Sequence, residues 1–132
     1  MFKIHKKVKY ALIALKYMKE RPDNELSTAK EICIRFDIPF DPTSRVLQIM
    51  TQHDILEAAQ GAQGGYKLKG DLTKITIFDL SQMITGTLAL TDCCSGEADC
   101  DRLDDCVIKE QMSRLNSKIL TLLKTVKVSE MV

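Results

Sequence analysis

The sequence of 132 residues has few aromatic residues and lacks the long apolar run of a secreted or membrane-spanning protein. It has no Trp, only 5% aromatic residues, and its apolar run ALIAL at 11–15 spans just five residues. Such a run is shorter than the core of a signal peptide and far too short to cross a membrane. We therefore expect a cytoplasmic protein of one domain, with an aliphatic core and no membrane partner.

A strong net charge is also missing, since the formal charge is +1. Residues 1–75 nevertheless hold thirteen Lys or Arg against nine Asp or Glu, a net of +4, while 76–132 have a net of −3. A basic first half suggests a surface that binds a polyanion, and an acidic second half suggests another role. Ordinary solvated faces explain the same charges equally well.

Helical periodicity predicts a first helix over 3–19, ended before Pro22. Ser27 and Thr28, with Glu31 three or four positions later, resemble a capping box that opens a second helix. The inward faces of these two helices are predicted to be Val8, Ala11, Leu12, Leu15 and Met18, and Ala29, Ile32, Cys33 and Phe36. Cys33 is most simply a small buried hydrophobic residue.

A third helix is predicted from Pro42 to about Gln52, with Asp41 as its N-cap. The tight turn DIPF at 37–40 joins the second and third helices and makes them a helix-turn-helix candidate. The inward residues are predicted to be Val46, Leu47 and Met50.

A β-hairpin is predicted next, because ILEAA at 55–59 and YKLK at 66–69 flank the glycine-rich QGAQGG. A nucleotide-binding loop fits these glycines poorly, since no Lys-Ser/Thr follows them. Two helices followed by a hairpin indicate a winged helix-turn-helix domain over 1–75. The predicted fold class is therefore mainly α with a small β-hairpin wing.

Residues 76–132 are predicted to continue the same domain unit, starting with a fourth helix over TIFDLSQMI, capped by Thr76. A long last helix, about 106–127, carries apolar residues at alternating steps of four and three. Such a seam favours a homodimer, with packing against the same chain as the alternative. The predicted interface residues are Ile108, Met112, Leu115, Ile119, Leu122 and Val126.

The segment 91–106, predicted to be a sensor loop, holds four of the five cysteines. Cys94, Cys100 and Cys106 are separated by five residues each time, and six carboxylates lie between 92 and 105. Negative neighbours disfavour free thiolates unless a metal supplies positive charge. The spacing lacks the close pairs of structural zinc sites and suits an iron–sulfur cluster, while zinc and free thiols remain open.

With these parts together, the chain resembles the Rrf-type family of bacterial winged-helix transcription regulators, which includes an iron–sulfur assembly regulator and a nitric-oxide-sensing repressor. The resemblance covers residues 1 to about 127 and rests on KVKYALIAL, IPFDPTSRVLQIM, GAQGGYKL and the three spaced cysteines. It implies a homodimer on a palindromic double-stranded DNA operator. A 2Fe-2S or 4Fe-4S cluster held by Cys94, Cys100 and Cys106 would control that binding.

The sequence departs from this family at the expected fourth ligand of the cluster. Lys109 stands where one branch has a His, and Lys9 where another branch has a carboxylate; an ammonium group has no lone pair to donate. The candidates that remain by name are Cys93 and His5. A loop carboxylate, solvent or a small thiol also remains open.

The resemblance also implies a set of DNA contacts. Gln60 stands where family wings usually offer an Arg to the minor groove, so this chain brings no charge there. The exposed residues of the third helix that are predicted to face DNA are Thr43, Ser44, Arg45 and Gln48, with Arg45 as the main base or phosphate contact. The predicted phosphate anchors are Lys67, Lys69 and either Ser27 or Thr28.

Two other functions remain open beside a cluster-controlled regulator. A regulator of the same fold could lack a cluster and respond through thiol oxidation or a protein partner. A thiol redox enzyme is the third possibility, but the chain has no Cys-x-x-Cys motif and no plausible Cys–His pair. We therefore expect a protein that is not an enzyme and has no small-molecule substrate.

Overall fold

The computed structural model describes residues 3–23, 25–86, 88–90 and 106–132. Within these ranges a helix-rich chain carries one two-stranded antiparallel hairpin, which confirms the predicted fold class. In chain order the elements are α1 (Lys6–Lys19), α2 (Ala29–Phe36), α3 (Phe40–Gln52), β1 (Leu56–Ala59), β2 (Gly65–Leu68), α4 (Ile77–Thr85), α5 (Lys109–Thr125) and α6 (Val128–Met131).

One hydrophobic core joins α1–α4, the start of the hairpin and the C-terminal end of the chain. Each helix contributes residues three, four or seven positions apart, so the apolar stripes face a common centre. The largest completely buried apolar side chains are Val8, Leu15, Ile32, Val46, Leu47, Met50, Ile55, Leu56, Leu80 and Val128. The predicted inward residues Val46, Leu47 and Met50 are therefore confirmed.

The helix starts are set by local caps, and two of them differ from prediction. Helix α1 begins at Lys6, three residues later than expected, because His5 is its N-cap and the His5 Nδ1 accepts the Lys7 N–H at 3.2 Å. Helix α3 begins at Phe40 with Pro39 as N-cap, so the prediction of Asp41 as cap was wrong. Proline's fixed φ suits a residue at the entry of a helix, and here it takes the position immediately before the first turn.

The predicted capping box of α2 is confirmed, with Thr28 as N-cap and Glu31 as its partner. The prediction that Phe36 faces inward was wrong, since 42% of this residue is exposed. Its ring instead lies edge-on to Tyr17, with 5.7 Å between ring centroids. Helix α2 ends at Asp37 in a left-handed conformation, which turns the chain sharply into α3.

The hairpin forms as predicted, with Leu56 opposite Leu68 and Ala59 opposite Gly65. A backbone bridge connects it to the residue before the α2 cap: the Ser27 N–H donates to the Tyr66 carbonyl at 2.8 Å, and the Tyr66 N–H donates back at 2.7 Å. The wing is thus hydrogen-bonded directly to the start of α2.

The C-terminal end of the chain is anchored beside α4, whose predicted Thr76 cap is confirmed. The Ile77 N–H donates to the Val126 carbonyl at 2.9 Å, and the Val128 N–H donates to the Ile75 carbonyl at 2.8 Å. Val128 is completely buried in the short helix α6, which sequence periodicity did not predict. No residue of α5 itself is buried by the described part of the chain.

Candidate nucleic-acid interface

Helix α3 presents a polar stripe opposite its buried face. Arg45 and Gln48 are exposed and Ser44 is half-buried, which agrees with their prediction as outward residues. Asp41 and Gln52 extend the same stripe towards the two ends of the helix. A guanidinium and amide groups on one helix face have the geometry and hydrogen-bonding groups that read base edges in the major groove.

Thr43 does not belong to this stripe, and its prediction as an exposed base-facing residue was wrong. Its exposed fraction is 0%, and within the described residues its hydroxyl has no hydrogen-bond partner. Thr43 precedes the buried residues Val46, Leu47 and Met50 by three, four and seven positions, so it shares their face. Periodicity alone would have placed it correctly, whereas its polarity suggested a surface position.

The N-terminal end of α2 lies beside the wing and carries two of the predicted phosphate anchors, Ser27 and Thr28. Ser27 is completely buried, so its side chain cannot contact a phosphate and that prediction was wrong. Thr28 is exposed, but its hydroxyl already accepts the Glu31 N–H at 3.1 Å. Lys30, which is exposed in the first turn of α2, is a cation that was not predicted from the sequence. Its position two residues after the cap is the signal that would have identified it.

A polar cluster of Tyr17, Arg21 and Glu31 holds α1 against the N-terminal turn of α2. The Tyr17 hydroxyl donates to Glu31 Oε1 at 2.5 Å, and the Arg21 guanidinium contacts both Tyr17 and Glu31. The Tyr17 hydroxyl is the largest influence that lowers the pKa of Glu31, helped by the Thr28 N–H and by Arg21, while burial opposes it. The same hydrogen bond raises the pKa of Tyr17. The cluster therefore orients the end of α2 that faces the wing.

The lysines of the wing are paired with carboxylates. Lys67 Nζ lies 3.6 Å from Glu57 Oε2 across the hairpin, and Lys69 Nζ lies 3.1 Å from Asp54 Oδ1. Exposed pairs of this kind contribute little free energy, so a phosphate can compete for either lysine. Gln60, at the start of the loop between the strands, is exposed as predicted for a wing contact.

Three of the four clustered cysteines, Cys93, Cys94 and Cys100, lie outside the described residues. Cys106 is half-buried just before α5, where its carbonyl accepts the Lys109 N–H at 3.3 Å. The positive end of the α5 dipole faces this position and suits a negatively charged group such as a thiolate-ligated cluster. In the ranges that the structure describes, no three metal-binding side chains come together.

Within one chain, His5 lies near the C-terminal end of α5, whereas Cys106 precedes the N-terminal end of that helix. His5 lines a cavity of about 120 Å³ together with Val8 and Leu123. The helix rise between Lys109 and Leu123 corresponds to about 20 Å. A His5 ligand to a group at Cys106 would therefore have to come from another subunit.

The apolar seam predicted for α5 is largely uncovered. Ile108, Leu115 and Leu122, spaced by seven residues, are 54%, 46% and 62% exposed. Met112, Ile119 and Val126 are half-buried, and Val126 packs against the core.

Cys33, the one cysteine outside the clustered segment, is buried in α2, with its Sγ 3.6 Å from the Pro39 carbonyl oxygen. No helix in the described residues is long and apolar enough to span a membrane.

Comparison with known proteins gives consistent matches over nearly the whole chain. The family model for Rrf2, described as an iron-dependent transcriptional regulator, matches residues 4–132. Protein aau3 of Rhizobium meliloti is 24% identical and covers 98% of this chain and 84% of its own. An Aquifex aeolicus protein named as an HTH-type transcriptional regulator is 25% identical and covers 95% of this chain and 88% of its own.

Two solved structures share the fold at low sequence identity. CymR, the global cysteine regulator of B. subtilis, superposes with a TM-score of 0.72 at 18% identity, covering 98% of this chain and 95% of its own. IscR of T. potens superposes with a TM-score of 0.68 at 20% identity, covering 98% and 85%.

Proposed function

The chain belongs to the Rrf2 family of transcriptional regulators, and from that premise we propose that it binds operator DNA as a homodimer controlled by an iron–sulfur cluster. The observation that carries the proposal is the Ser27–Tyr66 bridge, which fixes the wing to the start of α2, the helix that the sharp turn at Asp37 joins to α3. Of these elements, α3 offers Arg45 and Gln48 at its exposed face, and α2 offers Lys30. A recognition helix with flanking cations supports sequence reading combined with phosphate contacts.

DNA reading is tested with Arg45→Ala, measured by fluorescence anisotropy on an operator selected from the protein's own genome and on random DNA. We expect a loss of about 1–3 kcal/mol on the operator and a smaller loss on random DNA. Arg35→Ala is the matched control, because Arg35 is exposed on α2 above the Phe36 ring rather than on α3. Equal losses on both DNAs would make Arg45 a phosphate contact, and no loss on either would remove α3 from the interface.

The homodimer is proposed from the uncovered seam of α5. A second copy would cover Leu115 and Leu122 with the same apolar seam of its own helix, because a twofold interface uses the same surface on both subunits. Leu122→Glu should convert the dimer to monomer in analytical ultracentrifugation, whereas Ser117→Glu, exposed on the same helix, should leave it intact. Two variants with the same mass distribution would contradict a dimer through this seam.

The cluster would be held by Cys94, Cys100 and Cys106, with a fourth ligand that Cys93, His5 of another subunit or a non-protein group could supply. When bound, it would supply a centre sensitive to iron supply, oxidants or nitric oxide. The N-terminal end of α5 supports this position, because it favours negative charge beside Cys106. The chain's own part is to hold Cys106 just before the first turn of the helix that forms the proposed dimer seam.

The cluster is tested by purification without oxygen, followed by iron and sulfide assays and a visible spectrum. Wild type should be coloured, Cys106→Ser should lose iron and colour, and the buried Cys33→Ser should keep both. Cys93→Ser and His5→Ala test the two named candidates for the fourth ligand. An iron-free wild type that still binds its operator would favour a cluster-free regulator, in which thiols or a protein partner carry the signal.

A further inference from the structure

Asp41 is an acidic residue on the polar stripe of α3 that the proposed function has not used. Because α3 begins at Phe40, Asp41 lies within the first helical turn and is not the cap. It is exposed, and it precedes Ser44, Arg45 and Gln48 by three, four and seven positions. It therefore shares their face, at the end of the helix that enters deepest into a major groove.

The Asp41 carboxylate is available for a contact outside the chain. Among the described residues, all of the salt bridges are formed by side chains other than Asp41. The Asp41 side chain also does not cap α3. A carboxylate at a DNA surface is repelled by phosphates, so it weakens binding unless a hydrogen-bond donor meets it. The four base pairs differ in whether they offer such a donor.

In the major groove, cytosine is the base best suited to donate a hydrogen bond to a carboxylate. It presents the N4 amino donor, whereas guanine presents two acceptors, thymine one acceptor, and adenine a donor beside an acceptor. A carboxylate at this position would accept the cytosine N4–H and oppose the acceptors of guanine and thymine.

We infer that Asp41 is a specificity-determining residue that reads one cytosine in each operator half-site through its N4 amino group. This inference rests on the proposed function, since it needs α3 to lie in a major groove. A purely structural role is the competing explanation, because an acidic residue in the first turn of a helix also stabilises it through the helix dipole.

The test selects binding sites from a random DNA pool with full-length wild type, Asp41→Asn, Asp41→Glu and Asp37→Asn. Asp37→Asn removes one exposed carboxylate from the same motif at a left-handed position that asparagine tolerates. We expect a cytosine at one position per half-site for wild type, Asp41→Glu and Asp37→Asn. In Asp41→Asn the preference for cytosine over the other bases at that position should fall by about five- to 150-fold. The same variant should bind random DNA more tightly, because it lacks a negative charge.

A modified operator supplies a readout that a structural role would not change. N4-methylcytosine keeps its base pair but replaces the amino hydrogen that faces the major groove. Placed at the selected position, N4-methylcytosine should lower the operator affinity of wild type by a similar factor and leave the operator affinity of Asp41→Asn unchanged. Should Asp41→Asn fail to fold in circular dichroism, Asp41→Glu and the modified base still decide the question.

Each result has a distinct meaning. An unchanged base preference in Asp41→Asn, or wild-type sites without a common cytosine, overturns the inference while leaving the DNA-binding proposal intact. A wild type that selects no sequence at all overturns both. Lower thermal stability of Asp41→Asn with the same selected sites would assign Asp41 to the helix dipole alone.

Discussion

Replacing Gly65 with alanine should separate the wing from α2. A Cβ at position 65 would lie 2.9 Å from the Ser27 carbonyl oxygen and 3.2 Å from the Leu26 Cβ. The obstructing carbonyl belongs to the backbone and has no side-chain freedom to yield. Strand β2 and the segment at Leu26 and Ser27 must therefore move apart, and the paired hydrogen bonds between Ser27 and Tyr66 lengthen first.

The expected cost follows from those two hydrogen bonds. At about 0.5–1.5 kcal/mol each, their loss lowers the free energy of unfolding by about 1–3 kcal/mol. That is a large part of the 5–15 kcal/mol that is roughly typical of a domain. Operator affinity should fall as well, because the wing no longer keeps its position relative to α3.

The assay is urea unfolding followed by circular dichroism, paired with operator titration by anisotropy. Ala62→Ser, exposed in the same hairpin loop, is the matched control and should leave both measurements unchanged. If Gly65→Ala unfolds at the wild-type urea concentration and binds the operator normally, the Ser27–Tyr66 bridge does not hold the wing.

Three other perturbations test the fold and the interface. Since the folded state lowers the pKa of Glu31 from its ordinary 4.5, the stability it contributes is present above that pH and is lost as pH falls through the folded pKa. Glu31→Gln should therefore lower stability at neutral pH and flatten its decline in thermal melts taken from pH 6 to 3; a parallel decline would contradict this linkage. Val128→Ala should cost about 1–3 kcal/mol in urea unfolding, because Val128 is completely buried, while the half-exposed Met131→Ala should cost little; equal costs would mean that α6 is no anchor. Glu57→Gln releases Lys67 from its ion pair and should tighten DNA binding at low salt, an effect that fades as salt rises; unchanged affinity would place Lys67 outside the interface.

The local elements of the fold were predictable where short-range chemistry decides them. Thr28 and Thr76 each meet a carboxylate three residues later, so the predicted capping box of α2 forms, and the predicted Thr76 cap of α4 forms a box with Asp79 as well. The start of α3 was not predictable in this way, because Pro39 and Asp41 are both acceptable before a helix. Because Pro39 is the N-cap, Phe40 lies in the first turn of α3 and Asp41 lies on its outer face.

The candidate interface was only partly predictable, because polarity is an incomplete guide to exposure. Arg45 and Gln48 are exposed as expected, since a guanidinium or an amide is costly to bury. Ser27 and Thr43 are small enough to enter the core, and both are completely buried with hydroxyl groups that find no partner among the described residues. Lys30 was not predicted, although it lies only two residues after a correctly predicted cap.

The sequence by itself determined the approximate extents of α1–α5, the Thr28 and Thr76 caps, the glycine-rich hairpin and the regular cysteine spacing, because each depends on residues close together in the chain. Only the tertiary structure decided which surfaces are covered, because burial depends on residues distant in sequence. It placed Tyr66 against Ser27 and packed Val128 into the core. It also left the seam through Leu115 and Leu122 exposed, which is the surface that the proposed homodimer would cover.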